Sequence, residues 1–188
     1  MKALICLLLI GALTGCGSIL SATRDTPIES NKGTRTIGST IDDQLIETKA
    51  AVNIAKAHID LEREARITVI SYNGVVLLTG QVPRQDLKEL AGSVTQRVQR
   101  VKVVHNELTV GPPLPLLARN TDALITTSAK TRLLADSAIP GRRIKVTTEA
   151  GIVYLLGLVR RNEAELAVQA VQQVGGVQRI VKLFEYID

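Results

Sequence analysis

The chain has 188 residues, a formal charge of +5, two cysteines, two histidines and 2% aromatic residues. That length allows one ordinary domain or two small ones. So few rings, thiols and imidazoles argue against a disulfide scaffold, a metal centre and a base-stacking nucleic-acid surface.

The N-terminus reads as a secretory signal. Lys2 is followed by an apolar run from Ala3 to Leu13, with small residues before Cys16. The run is too short to span a bilayer, which takes about 20 residues. Leu13-Thr14-Gly15-Cys16 resembles a bacterial lipobox. That resemblance implies that residues 1–15 are removed and that Cys16 becomes the lipid-modified terminus. Cys6 leaves with the signal, so no disulfide forms within the mature chain. Gly17, where an aspartate would resemble an inner-membrane retention signal, points to the outer membrane. Residues 16–40 are then the lipidated cysteine and a flexible tether. Gly17 to Ser39 is polar without apolar period, and such a coil reaches roughly 25 Å.

Residues 41–110 form a first domain. Asp42 or Asp43 is expected to cap a helix carrying Ile46, Ala50, Ile54, Ala57 and Leu61 at near-helical spacing, with His58 inside it. Ile67 and Val69 begin a strand. Asn73-Gly74 is a hairpin signal because both residues tolerate positive φ, and Val75 to Val82 returns. After Pro83 a second helix carries Leu87, Leu90, Ala91, Val94, Val98 and Val101 on one face. A strand from Val103 to Val110 closes the unit and contains His105.

Residues 111–118, with Gly111-Pro112-Pro113-Leu114-Pro115, read as a stiff linker that restricts how the two halves sit. Residues 119–188 then repeat the first unit. Asp122 is expected to cap a helix with Ile125, Ala129 and Leu133 on its stripe. Ile144 and Val146 lead to Ala150-Gly151, and Ile152 to Val159 returns. A helix from about Asn162 to Val174 ends at Gly175-Gly176, and Val177, Ile180, Leu183 and Phe184 feed the last strand. Gly80 and Gly157 hold the same place in each return strand, which suggests close approach of a helix to the sheet. The first copy has nine Lys/Arg against nine Asp/Glu, the second ten against seven. The positive excess therefore lies in the second domain; it reads either as a surface suited to anionic lipid rather than nucleic acid or as an ordinary solvated surface that is slightly basic by chance, and an excess this small does not decide between them.

The capped helix, the hairpin strand of G-x-V-x-L-x-G type and the valine-rich entry to the last strand resemble the BON domain. Two such units behind a lipobox and a polar tether resemble the dual-BON outer-membrane lipoproteins. The resemblance implies an α+β fold: two tandem domains, each α-β-β-α-β with a three-stranded mixed sheet packed on two helices. It implies no catalytic activity and no cofactor. It further implies a periplasm-facing lipoprotein linked to envelope integrity, envelope stress and the division site. Its members bind anionic phospholipid, notably phosphatidylglycerol, through the first helix of the second domain, here Asp122 to Ala135. Leu124 stands where that family places an aromatic inserting residue; leucine inserts but lacks the ring that favours the interface.

Read without the family, Leu124, Thr127, Ser128, Thr131 and Leu134 fall on the outer face and flanks of that helix, bordered by Lys130 and Arg132. Arg142, Arg143 and Lys145 add charge nearby in sequence. Taken alone, these residues describe a solvent-facing helix more readily than a lipid site; the resemblance reverses that order. The candidate lipid-binding residues are therefore Leu124, Thr127, Ser128, Lys130, Thr131, Arg132 and Leu134, with Cys16 for lipidation. The alternative is a periplasmic protein–protein adaptor for outer-membrane assembly or cell-wall remodelling. Catalysis has little to stand on. The histidines lack metal-ligand spacing, the serines lack a nucleophile elbow, and neighbouring Asp42 and Asp43 do not face each other on a helix.

Overall fold

The computed structural model describes Gly33 and residues 35–188. Residues 1–15, Cys16 and most of the expected tether lie outside the described residues. Helix α1 spans Ile37–Ala57. It starts ahead of the expected aspartates because Thr36 caps it, its Oγ1 accepting from the Ser39 amide at 3.1 Å. The capping role read for Asp42 or Asp43 is thus corrected, and the last residues of the 16–40 segment are helical. His58 does not continue the helix: its backbone is extended (φ −157°) and its Nδ1 caps the short helix α2, Ile59–Arg63.

Strands β1 (Arg66–Tyr72) and β2 (Val75–Val82) pair antiparallel, with Tyr72 opposite Val75. Asn73 and Gly74 close the hairpin at φ 54° and 80°, as a type I′ turn requires. Helix α3 spans Gln85–Gln96. The closing strand is broken into β3 (Val103–Asn106) and β4 (Thr109–Val110), both parallel to β2. The single strand expected over Val103–Val110 is interrupted because Leu108 turns into the core, where it is 1% exposed.

Helix α4 spans Leu116–Ala135 and starts directly after Pro115. It therefore takes in the end of the 111–118 segment, and Asp122 lies inside it rather than at its cap. A 3₁₀ turn, Gly141–Arg143, leads into β5 (Ile144–Glu149), which pairs antiparallel with β6 (Ile152–Val159). Helix α5 spans Arg161–Gln172, and β7 (Arg179–Tyr186) runs unbroken and parallel to β6.

Each sheet has two faces because successive side chains point opposite ways. One face meets the helices. Ile46, Ala50, Ile54, Leu78 and Leu87 share the first core; Ile125, Ala129, Leu133, Val153 and Leu155 share the second. The other faces meet each other. Ile70, Tyr72, Val75 and Leu77 pack against Tyr154, Leu156 and Leu183 in a third cluster. The layers are thus helix, sheet, sheet, helix, with α1 over β1 and α4 over β5 at one edge. Each large apolar side chain buried between the sheets contributes about 1.5–3 kcal/mol relative to exposure.

Polar contacts fix the register of this stack. Glu149 Oε1 accepts from Arg66 at 2.9 Å and from Gln81 Nε2 at 2.8 Å. The Tyr72 hydroxyl donates to the Arg143 carbonyl at 2.6 Å at the other end of β1. Gln81 Oε1 accepts from the Leu114 amide at 3.1 Å, so the connecting segment is held too. Sheet packing and these bonds supply the restriction that the prolines alone suggested.

Gly80 explains itself by the strand beside it, not by a helix. Its φ is 119°, and a Cβ there would sit 1.9 Å from the Arg66 carbonyl oxygen. At Gly157 a Cβ would sit 2.7 Å from the Arg143 oxygen. The expected helix-to-sheet approach is corrected to a backbone approach of the antiparallel partner.

Candidate functional site: the outer face of the second domain's first helix

The acidic residues singled out by sequence have a structural task. Asp43 is 3% exposed. Its Oδ1 accepts from the Gly74 amide at 2.9 Å and the Ser71 hydroxyl at 2.7 Å; its Oδ2 accepts from the Asn73 amide and Arg35, both at 2.8 Å. Burial pushes its pKa up, but the bonds from Gly74, Ser71, Asn73 and Arg35 outweigh that, and the carboxyl ends below its usual value. Asp122 does the same in the second domain, accepting from Ala150 N at 2.9 Å and Gly151 N at 2.8 Å. Each aspartate clamps a helix to a hairpin turn whose amides point inward. Asp43, with four donors on its carboxylate, is a poor proton carrier.

Burial of Asp122, Ile125, Ala129 and Leu133 on α4 sets which way the rest of the helix points. Leu124, Thr127, Ser128, Lys130, Thr131, Arg132 and Leu134 are all exposed. Leu124 is 69% exposed and Leu134 59%. The helix also exposes Leu116 and Leu117, the latter at 78%. Sequence reading missed this pair by placing them in the linker; Pro115 was the available signal, since proline favours a helix start. Lys130 and Arg132 are two positions apart and project from nearly opposite flanks.

The hydroxyls are less available than their exposure suggests. Thr127 donates to the Ala123 carbonyl at 2.9 Å and Thr131 to the Thr127 carbonyl at 3.0 Å. Such back-bonding uses the hydroxyl proton, so Ser128 is the freer donor. Arg132 donates to Gln173 Oε1 at 3.2 Å.

Helix α1 offers an instructive counterpart. It too exposes aliphatic residues, Ile37, Ile41, Leu45 and Val52. Its charges differ: the half-buried Asp42 and Glu47 and the buried Asp43 stand against Lys49 and Lys56, where α4 sets only the buried Asp122 against Arg119, Lys130 and Arg132. By net charge of the two helices, an anionic surface would attract α4 more strongly than α1.

Among the described residues no helix is long and apolar enough to cross a membrane, and no group of three or more metal-ligating side chains forms. Burial, with Glu107 nearby, pushes the Tyr154 hydroxyl up to about 12, which keeps it neutral inside the sheet-to-sheet core.

Comparison with known proteins gives a family. Residues 42–112 and 121–188 each match the family described as the BON domain. The chain is 34% identical over 179 residues to the outer membrane lipoprotein DolP of Haemophilus influenzae, covering 95% of this chain and 89% of that one. It is 35% identical to a 21 kDa hemolysin of Actinobacillus pleuropneumoniae, over 82% of this chain and 79% of that one. It is 32% identical to the osmotically-inducible protein Y of Escherichia coli, over 78% and 75%.

Proposed function

The chain belongs to the BON-domain family, as a dual-BON protein of the DolP type, and from that premise we propose that it is a non-catalytic lipoprotein that binds anionic phospholipid through α4 and supports envelope integrity, including at the division site. Its location is the outer membrane, by a lipid anchor. The observation that carries the reading is the outer face of α4: four exposed leucines, cations on both flanks, and its one acid buried. Inserted leucines gain by leaving water, and each cation near an anionic surface adds about 1 kcal/mol. A lipid on Cys16 and a second, weaker contact through α4 would together supply the two signals that stable and selective anchoring takes.

Flotation of an unlipidated Cys16→Ser chain tests this. The expected result is recovery with phosphatidylglycerol vesicles well above recovery with neutral ones. Equal recovery with both vesicle types overturns the reading.

A second reading, a protein–protein adaptor, draws on the aliphatic face of α1, whose Asp42 and Glu47 have no acidic counterpart on α4. Crosslinking from α1 and from α4 in cells, followed by mass spectrometry, separates the two. One dominant protein partner captured through α4 would favour the adaptor.

A further inference from the structure

At the edge where β1 and β5 run side by side, a cleft of about 290 Å³ opens between the two domains. Its charged lining is Arg35, Asp43, Glu47, Lys130, Arg142 and Lys145. Both acids are already engaged. Asp43 takes Arg35, and Glu47 Oε1 accepts from Lys145 Nζ at 2.6 Å and from the Ser71 amide at 2.8 Å. Lys130 and Arg142 have no acidic partner among the described residues. Four cations against two carboxylates leave the cleft positive.

The walls are fixed before anything enters. The Tyr72 hydroxyl holds the carbonyl of Arg143, the residue next to Arg142. The Arg35 guanidinium stacks 3.9 Å over the Tyr72 ring. Preorganised walls lower the ordering cost of binding. The volume lies near the lower end of the about 300–1,000 Å³ typical of ligand pockets, enough for a headgroup and too little for acyl chains. Lys130 lies on α4 between Leu124 and Leu134, so chains leaving the cleft would meet the exposed leucines.

We infer that this inter-domain cleft binds the phosphate headgroup of an anionic phospholipid, with Arg142 and Lys130 as its ligands. The inference rests on the lipid-binding reading of α4. A guanidinium matches two phosphate oxygens at once and an ammonium adds a point charge. A glycerol headgroup enters a positive cleft without penalty; an ethanolamine headgroup brings its own ammonium into it. The cleft is therefore a source of lipid selectivity, separate from the insertion that Leu124 supplies.

The test uses the unlipidated full chain with vesicles containing phosphatidylglycerol or phosphatidylethanolamine. Arg142→Ala and Arg132→Ala each remove one cation beside α4, and only the first lies in the cleft. The expected result is a loss for Arg142→Ala at least about fivefold greater than for Arg132→Ala, with loss of the preference between lipids. Equal losses, or an unchanged preference, overturn the inference while leaving insertion by α4 standing. A second arm titrates sn-glycerol 3-phosphate and, separately, inorganic phosphate while amide shifts of Tyr72 and Lys145 are followed. Shifts with glycerol phosphate that Arg142→Ala abolishes support the site. No shift with either, or inorganic phosphate binding beside unchanged vesicle preference, overturns it. If the parent chain binds no vesicles the α4 reading falls, and the glycerol phosphate arm alone then decides for or against the cleft.

Discussion

The two domains repeat one plan and solve its local problems differently. Both pin a hairpin turn with a buried aspartate from the first helix. In the first domain the turn is Asn73-Gly74 and the carboxylate takes four donors. In the second the turn is Ala150-Gly151 and it takes two. Beside that clamp, Glu47 receives the Ser71 amide in one copy, whereas Thr126 donates to the Thr148 hydroxyl or accepts from it at 2.8 Å in the other. Where the second domain places Gly176 at φ 88°, the first places Arg100 at φ 73°. Its closing strand is broken where β7 runs whole. The difference teaches that the clamp and the sheet order are what the fold holds fixed. The acids are spent on structure and on the inter-domain seam, and they leave α4 with a face free of exposed carboxylates.

Four experiments press on that comparison. The strand glycines should give the largest effect. Gly80→Ala forces a Cβ against a backbone carbonyl at a φ that side chains rarely adopt. It should cost about 3 kcal/mol, read by urea unfolding. Gly157→Ala, with a longer approach and no unusual φ, should cost less; equal losses would mean the two strands are strained alike.

Next come the clamps. Asp43→Ala leaves the Asn73 and Gly74 amides without their acceptor and should cost about 2 kcal/mol. The pH dependence follows from the sign. Folding holds the Asp43 carboxyl below its ordinary value, so the unfolded chain takes up the proton first as pH falls. Its contribution is full above about pH 4 and is lost as pH drops further. Asp43→Asn should flatten that acid limb in thermal melts; an unchanged limb would mean that other carboxyls set it.

On the outer faces, Leu124→Glu should weaken recovery on phosphatidylglycerol vesicles about tenfold, near 1.4 kcal/mol. Ile41→Glu on α1 should leave it within about twofold, near 0.4 kcal/mol. Equal effects would assign lipid contact to both domains. The smallest change is Ala150→Asn. Ala150 sits at φ 52°, where asparagine is better tolerated, and the second domain should gain about 0.5 kcal/mol.

Much of this was legible in the residues. The repeat, the hairpin turns, the element order and the outward face of α4 all follow from local pattern, because apolar spacing and positive-φ residues act within a few positions. Leu124 and Leu134 could be assigned to the surface once Ile125, Ala129 and Leu133 were assigned to the core. Helix starts were misplaced because an aspartate before an apolar stripe reads as a cap; that Asp43 and Asp122 instead reach turns about 30 residues onward leaves no local trace.

The sequence by itself determined two copies of an α-β-β-α-β unit, since periodicity and turn chemistry are short-range. Only the tertiary structure decided that the sheets stack by their helix-free faces. Ile70, Tyr72, Tyr154 and Leu156 alternate with core residues and look like any strand's second face until the two meet. That stacking also pairs Glu47 with Lys145 and Glu149 with Arg66, leaving Arg142 and Lys130 as the cations of the cleft without an acid among the described residues. Which charges cancel is a matter of distance in space, and residues so far apart in sequence could not reveal it.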